Sequence, residues 1–110
     1  MSNEIDLEHD EEWLALIAGF RTHFWQVRVP ELLIAWAEAR VLPLGQWTSE
    51  LKRAIHGIAG SAGLIGYEAI GNEARSVEQA WDSKKLSTEA LTGLIDAFAQ
   101  HVAELANDPQ

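Results

Sequence analysis

The residue best suited to carry chemistry is His56, which lies within the stretch AIHGIAGSAGLIGY, residues 54–67. Glycines follow it at positions 57, 60, 63 and 66, although a glycine inside a helix costs about 1 kcal/mol relative to alanine. An exposed imidazole is mostly neutral near neutral pH, so one of its ring nitrogens is free to attack a phosphoryl group. The stretch therefore indicates a nucleophilic histidine beside a strip of bare backbone.

The helix face that carries His56 is basic before the histidine and bare after it. At about 100° per residue, five further residues share this face: Ser49, Lys52, Arg53, Gly60 and Gly63. Lys52 and Arg53 are candidates to stabilise the oxygens of a phosphoryl group. We assign four residues to a partner-docking face: Ser49, Ala59, Gly60 and Gly63. A lone exposed histidine is usually an ordinary surface residue, but this combination favours a functional site.

Several other kinds of chemistry are opposed by the composition. The chain has no cysteine, and its 8 Lys+Arg against 17 Asp+Glu give a net charge of −9, which opposes binding to nucleic acid or to anionic lipid. We find no cluster with metal-ligand spacing and no phosphate-binding glycine motif, so no metal or nucleotide site is predicted. The acidic N-terminus does not resemble a secretory signal, and no apolar run is long enough to span a membrane. We therefore expect a soluble, cytoplasmic protein.

The elements that position His56 are predicted to be helices, because apolar residues recur every three or four positions almost throughout. Five helices are predicted, over approximately residues 10–28, 30–42, 50–65, 67–81 and 88–106. Pro30 suits the first turn of the second helix, and Thr48 or Ser49 can cap the third. Gly66 is the natural end of the third helix.

Short loops favour antiparallel neighbours, so we expect an all-α fold in which helices two to five form an up-down antiparallel four-helix bundle. An additional N-terminal helix is expected to pack across or beside it. The bundle should occupy residues 10–107, between an acidic flexible segment 1–9 and a frayed C-terminus 108–110. The core face of the third helix should lie opposite His56 and consist of five residues: Leu51, Ile55, Ile58, Ala62 and Ile65. A core of this size should support a monomer.

These residues resemble the motif of the histidine-containing phosphotransfer (HPt) domains of two-component phosphorelays. The family pattern H-x-L-K-G-x-A/S-x-x-x-G, followed by an apolar residue and a Leu-Glu pair, corresponds here to His56, Ile58, Gly60, Ala62, Gly66, Ile70, Val77 and Glu78. One position differs, because Ala59 stands where the family usually has a lysine that helps balance the charge of the phosphohistidine. We expect Lys52, one turn before His56, to take over this role.

The resemblance implies that His56 accepts a phosphoryl group from the aspartate of a response-regulator receiver domain and passes it to another, or exchanges it with a hybrid sensor kinase. The receiver would bring Mg²⁺, so the chain would need no cofactor of its own. It would be a phosphoryl carrier without ATP-binding or kinase motifs, and not an enzyme in the narrow sense.

Two alternatives remain open. The first is an HPt-like module that docks or sequesters receiver domains without phosphotransfer, which the missing lysine at Ala59 keeps possible. The second is a helical bundle that binds haem or an apolar ligand, suggested by the five tryptophans and by His9, His23 and His101.

Overall fold

The computed structural model describes the backbone of residues 2–107 and the side chains of residues 11–107. Within this range every regular element is a helix, which confirms the all-α prediction. The elements in chain order are α1 (Ser2–His23), a π-helical segment (Phe24–Arg28), α2 (Val29–Ala39), a 3₁₀ turn (Leu44–Gln46), α3 (Ser49–Ala62), a second 3₁₀ turn (Gly63–Ile65), α4 (Glu68–Ser83) and α5 (Thr88–Ala106). The C-terminal segment 108–110, predicted to be frayed, lies outside the described residues.

The first two predicted helices are joined without a loop. The π-helical segment connects α1 directly to α2, and the Val29 N–H donates to the Phe24 carbonyl oxygen. Pro30 has no N–H and its ring crowds the carbonyl four residues earlier, so the turn before it widens while the chain stays helical. The predicted break before Pro30 is therefore wrong. The helical backbone also begins earlier than predicted, at Ser2 and not near residue 10.

Much of α1 extends beyond the rest of the fold. The molecule is 60 Å long, and a straight helix from residue 2 to 39 would alone span about 57 Å. Apart from the adjoining π-helical segment, α1 packs mainly against the turn Gly63–Ile65. Trp13, Leu16 and Phe20 are 54, 50 and 40% exposed, so the apolar face predicted for the first helix is largely open to solvent.

The core lies among α2, α3, α4 and α5. Both α2 and α4 pack against α3 and against α5, so the four helices enclose one apolar interior. All five residues predicted for the core face of α3 are buried, and Leu51, Ile55 and Ile58 are inaccessible to solvent. Each fully buried isoleucine or leucine contributes about 1.5–3 kcal/mol. This burial fixes the rotation of α3 and so determines which face it presents to solvent.

Asp96 on α5 connects that helix to the end of α2. Arg40 donates to both carboxylate oxygens of Asp96, at 3.0 and 3.1 Å, and Trp36 Nε1 donates to one of them at 2.7 Å. The hydrogen bond from Arg40 is the main reason that the pKa of Asp96 is lowered. The carboxylate therefore stays ionised, and bonded to both partners, further into the acid range than a free aspartate.

The turn after α3 determines how α4 returns. Gly66 has a φ of +96°, in the left-handed region that glycine adopts without strain, which confirms its prediction as the end of the third helix. The Tyr67 N–H donates to the Ala62 carbonyl oxygen at 2.8 Å and closes the turn. The chain then reverses direction and α4 begins at Glu68.

The α3–α4 hairpin has a register centred on Tyr67. The two residues of each contact lie equally far from Tyr67 along the chain. From the turn outwards the pairs are Gly63–Gly71, Ala59–Arg75, His56–Glu78 and Lys52–Asp82. The two helices lie close together at Gly71, where an added Cβ would be in ordinary van der Waals contact with the Ala59 carbonyl oxygen at 3.5 Å and the Gly63 nitrogen at 3.6 Å. The hairpin thus brings α4 side chains within reach of His56.

Candidate functional site

His56 lies in the middle of α3 with 75% of its side chain exposed. Its neighbours Ile55 and Ile58 are fully buried on the opposite side of the helix. The helical spacing therefore predicted the direction of the imidazole correctly. A partner can reach the ring without any rearrangement of the core.

Glu78 on α4 orients the imidazole. Its Oε2 lies 2.9 Å from His56 Nδ1, and its own side chain is only 20% exposed. An ionised carboxylate only accepts hydrogen bonds, so Nδ1 carries the proton and donates a hydrogen bond to Glu78. The lone pair of the neutral imidazole then resides on Nε2. Glu78 thus presents Nε2 as the nucleophilic nitrogen.

The function of Glu78 was missed in the sequence, although Glu78 was matched to the family motif. The signal that could have found it is the turn at Gly66–Tyr67. An antiparallel hairpin centred on Tyr67 places residue 78 opposite residue 56. A carboxylate at that position is then suited to hold the imidazole.

The two cations predicted to stabilise a phosphoryl group lie close to His56 in the chain but make no hydrogen bond to it. Lys52 Nζ forms an ion pair with Asp82 on α4 and lies 5.5 Å from the centroid of the Trp81 ring. Arg53 is exposed and lines the groove between α2 and α3. The Lys52 charge is therefore already paired in this structure, whereas Arg53 is open to solvent.

Ala59 is not part of an exposed docking face. It is 4% exposed and lies against α4, so its assignment to that face is wrong. The third residue after His56 is rotated by about 60° from it, toward α4, whose Gly71 lies close to the Ala59 carbonyl oxygen. The carbonyl oxygen of Ala59 accepts a hydrogen bond from Arg75 Nη2 at 3.2 Å.

The other three residues of the predicted docking face lie toward solvent. Ser49 and Gly60 are exposed and Gly63 is half-buried. A Cβ added at Gly60 or Gly63 would meet no atom within 4 Å outside the local backbone, so nothing in the fold requires glycine at either position for space. Their bare backbone leaves room beside the imidazole.

The histidines considered for haem binding are not gathered at one site. His101 Nδ1 lies 2.6 Å from Glu73 Oε2 in a surface pair between α4 and α5, whereas His23 is exposed at the end of α1. The side chain of His9 lies outside the described residues. Among the side chains of residues 11–107, no group of three or more histidine or acidic residues is arranged to hold a metal ion. No helix in the described part of the chain combines the length and apolarity that crossing a bilayer requires.

Comparison with known proteins identifies a family for most of the chain. The family model described as Hpt domain matches residues 28–108, which include α2 to α5 and therefore His56 and Glu78. Neither a curated protein nor a solved structure matches the chain significantly.

Proposed function

Because the chain belongs to the Hpt domain family, we propose that it carries a phosphoryl group on Nε2 of His56 and exchanges it with the aspartate of response-regulator receiver domains. Hpt domains act in phosphorelays as phosphoryl carriers and not as catalytic enzymes. The observation that supports the assignment to Nε2 is the hydrogen bond of 2.9 Å between Nδ1 and Glu78. It fixes the proton on one ring nitrogen and leaves the other open to solvent.

The transfer step follows from this geometry. The Nε2 lone pair attacks the phosphorus of the receiver's aspartyl phosphate, an N–P bond forms, and the O–P bond breaks with its electron pair leaving on the aspartate carboxylate. The Nδ1 proton stays in the hydrogen bond to Glu78, whose negative charge stabilises the positive charge that develops on the ring. The reverse sequence returns the phosphoryl group to a second receiver.

The partner has to supply the rest of the machinery. Phosphoryl transfer needs positive charge on the equatorial oxygens and in-line geometry. In our proposal the receiver brings Mg²⁺ and its acidic pocket, and approaches over Ser49, Gly60 and Gly63. The stabilising roles of Lys52 and Arg53 remain predictions. For Lys52 the prediction requires that its ammonium group leaves Asp82.

The wider setting is also part of the proposal. Helices α2 to α5 would serve as an up-down antiparallel four-helix bundle, with α1 as the additional N-terminal helix. The protein would act as a monomer in the cytoplasm, where a hybrid sensor kinase or a phosphorylated receiver would load it.

The test is transfer from phosphorylated receiver domains of the same genome, profiled one by one with radiolabelled phosphate. We expect label on the wild-type chain that is stable in base and labile in acid, as a phosphohistidine is, and no label on His56→Gln. Binding of a phosphorylated receiver without transfer would instead favour a docking module. Label that persists in His56→Gln would refute the assignment of His56.

A further inference from the structure

Arg75 on α4 lies against the residue at which the family pattern has its lysine. Its Nη2 donates to the carbonyl oxygen of Ala59 at 3.2 Å, and its Nη1 donates to Asn72 Oδ1 at 3.0 Å. Ala59 is the residue that replaces the lysine expected three positions after His56. The guanidinium charge of Arg75 therefore lies beside the backbone of Ala59, whose own side chain carries no charge.

The charge of Arg75 is not neutralised within the described structure. Both of its hydrogen-bond acceptors are neutral oxygens, and no carboxylate among residues 11–107 lies within 4.0 Å of its guanidinium. Lys52 differs in this respect, because its ammonium group is paired with Asp82. Hydrogen bonds from a guanidinium to an anionic oxygen are roughly twice as strong as those between neutral groups. An anion placed nearby would therefore compete well for Arg75.

The distance from Arg75 to His56 is short enough for such a contact. In the register of the α3–α4 hairpin, the Ala59–Arg75 pair is adjacent to the His56–Glu78 pair. Successive pairs are separated by about one helical turn, 5.4 Å, which an exposed arginine side chain can span. Arg75 is itself exposed, so its guanidinium can move along the surface toward the imidazole.

We propose that Arg75 supplies the positive charge that stabilises the phosphoryl group carried on His56, in the role that a lysine at position 59 would have. The inference rests on the proposed function, because it requires a phosphohistidine. On phosphorylation the guanidinium exchanges Ala59 and Asn72 for two phosphoryl oxygens, which its planar fork binds in bidentate fashion. Glu78 continues to hold Nδ1, so the carboxylate and the guanidinium act on opposite ends of the modified ring.

The experiment loads the full chain with phosphoramidate, a small donor that needs no partner protein. His56 Nε2 attacks its phosphorus, the P–N bond of the donor breaks, and the leaving nitrogen takes up a proton and departs as ammonia. The readouts are the loading rate and the ionisation midpoint of the phosphoryl group in a ³¹P NMR titration. A positive charge beside the group favours its dianion and lowers that midpoint.

We expect Arg75→Gln to load more slowly and to raise the midpoint, and Arg75→Lys to restore much of both. One unit charge at about 4 Å in water corresponds to about a fivefold change in the ionisation constant, or about 0.7 pH unit. Arg21→Gln is the matched control, because Arg21 also donates to a backbone carbonyl, that of Ile65 in the 3₁₀ turn after α3. It should leave both readouts unchanged.

A second variant tests the position directly. Adding Ala59→Lys to Arg75→Gln restores a cation where the family has it, and should bring the midpoint back toward the wild-type value. Circular dichroism establishes that each variant is folded. The proposal is overturned if Arg75→Gln titrates like wild type, or if Lys52→Gln produces the shift and Arg75→Gln does not. Phosphoramidate loads the chain without a receiver. Failure of transfer from a receiver would therefore count against the proposed function, while the effect of Arg75 on the phosphoryl group could still be interpreted.

Discussion

Removing the Glu78 carboxylate should slow phosphorylation of His56 by changing which ring nitrogen carries the proton. In the wild type the 2.9 Å contact stabilises the form with the proton on Nδ1 and the lone pair on Nε2. In Glu78→Ala both neutral forms are hydrogen-bonded only to water, so the form with the proton on Nε2 gains population at the expense of the reactive one.

The size of the effect follows from the exposure of the pair. A charge-assisted hydrogen bond contributes about 1.5–3 kcal/mol where it is shielded from water. The His56 side chain is 75% exposed and that of Glu78 is 20% exposed, so solvent screening reduces the effect below this range, to about 1 kcal/mol. This predicts about a fivefold slower reaction with phosphoramidate at pH 8. Glu78→Gln should lose less, because its amide oxygen can still accept from Nδ1.

The chain offers a matched control for this variant. Glu73 on the same helix makes an equivalent contact of 2.6 Å with Nδ1 of His101. Glu73→Ala therefore removes a carboxylate–imidazole pair from α4 without touching His56, and should react at the wild-type rate. The ¹⁵N shifts of the His56 ring report its protonated nitrogen directly. If Glu78→Ala kept both the wild-type rate and the wild-type ring shifts, the orienting role of Glu78 would be wrong.

Three further variants test the docking face, the α2–α5 connection and the core. Gly60→Ala should raise the free energy of unfolding by about 1 kcal/mol, because alanine favours the helix more than glycine does and its Cβ would point into open space. Gly60→Leu should block transfer from a receiver but leave loading by phosphoramidate intact. An equal loss with both donors would argue against a docking role. Asp96→Asn should lower the urea midpoint of unfolding at pH 7. The difference from wild type should shrink as the pH falls below about 4, because Asp96, whose pKa is lowered in the fold, stabilises it only while its carboxylate is ionised. A difference that does not depend on pH would contradict this. Ile58→Ala should cost about 2–5 kcal/mol in urea unfolding, since Ile58 is fully buried, and a cost below 1 kcal/mol would mean that α3 is not anchored by this face.

The orientation of α3 could be predicted from the sequence because it depends on periodicity. An apolar stripe of five residues leaves His56 only one direction to face, and the buried set agrees with it. Gly66 was also predictable, since a left-handed residue that ends a helix strongly favours glycine. The predicted start of the last helix near residue 88 agrees with α5, whose cap Ser87 accepts from the Ala90 N–H through its side chain. These features depend on residues close together in the chain.

The features that were mispredicted depend on packing or on competing local effects. Pro30 commonly begins a helix, but here the preceding turn widens and the helix continues. Ala59 was assigned to the surface because it follows His56 closely, whereas its burial is decided by how near α4 approaches. The first helix was expected to pack across or beside the bundle, yet Trp13 on it is 54% exposed. The outcomes at Ala59 and Trp13 depend on distant elements whose positions periodicity does not give.

Because the pairing of α3 with α4 is centred on Tyr67, the reactivity of His56 depends on the length of the turn between these helices. Deleting or inserting one residue in the Gly66–Tyr67 turn would change the register between α3 and α4 and displace the Glu78 carboxylate from its place opposite the imidazole. The carboxylate would then no longer hold the Nδ1 proton. The turn lies about 15 Å along the helix axis from the nucleophile. A change in length there would therefore slow the reaction of the histidine without altering any residue that touches it.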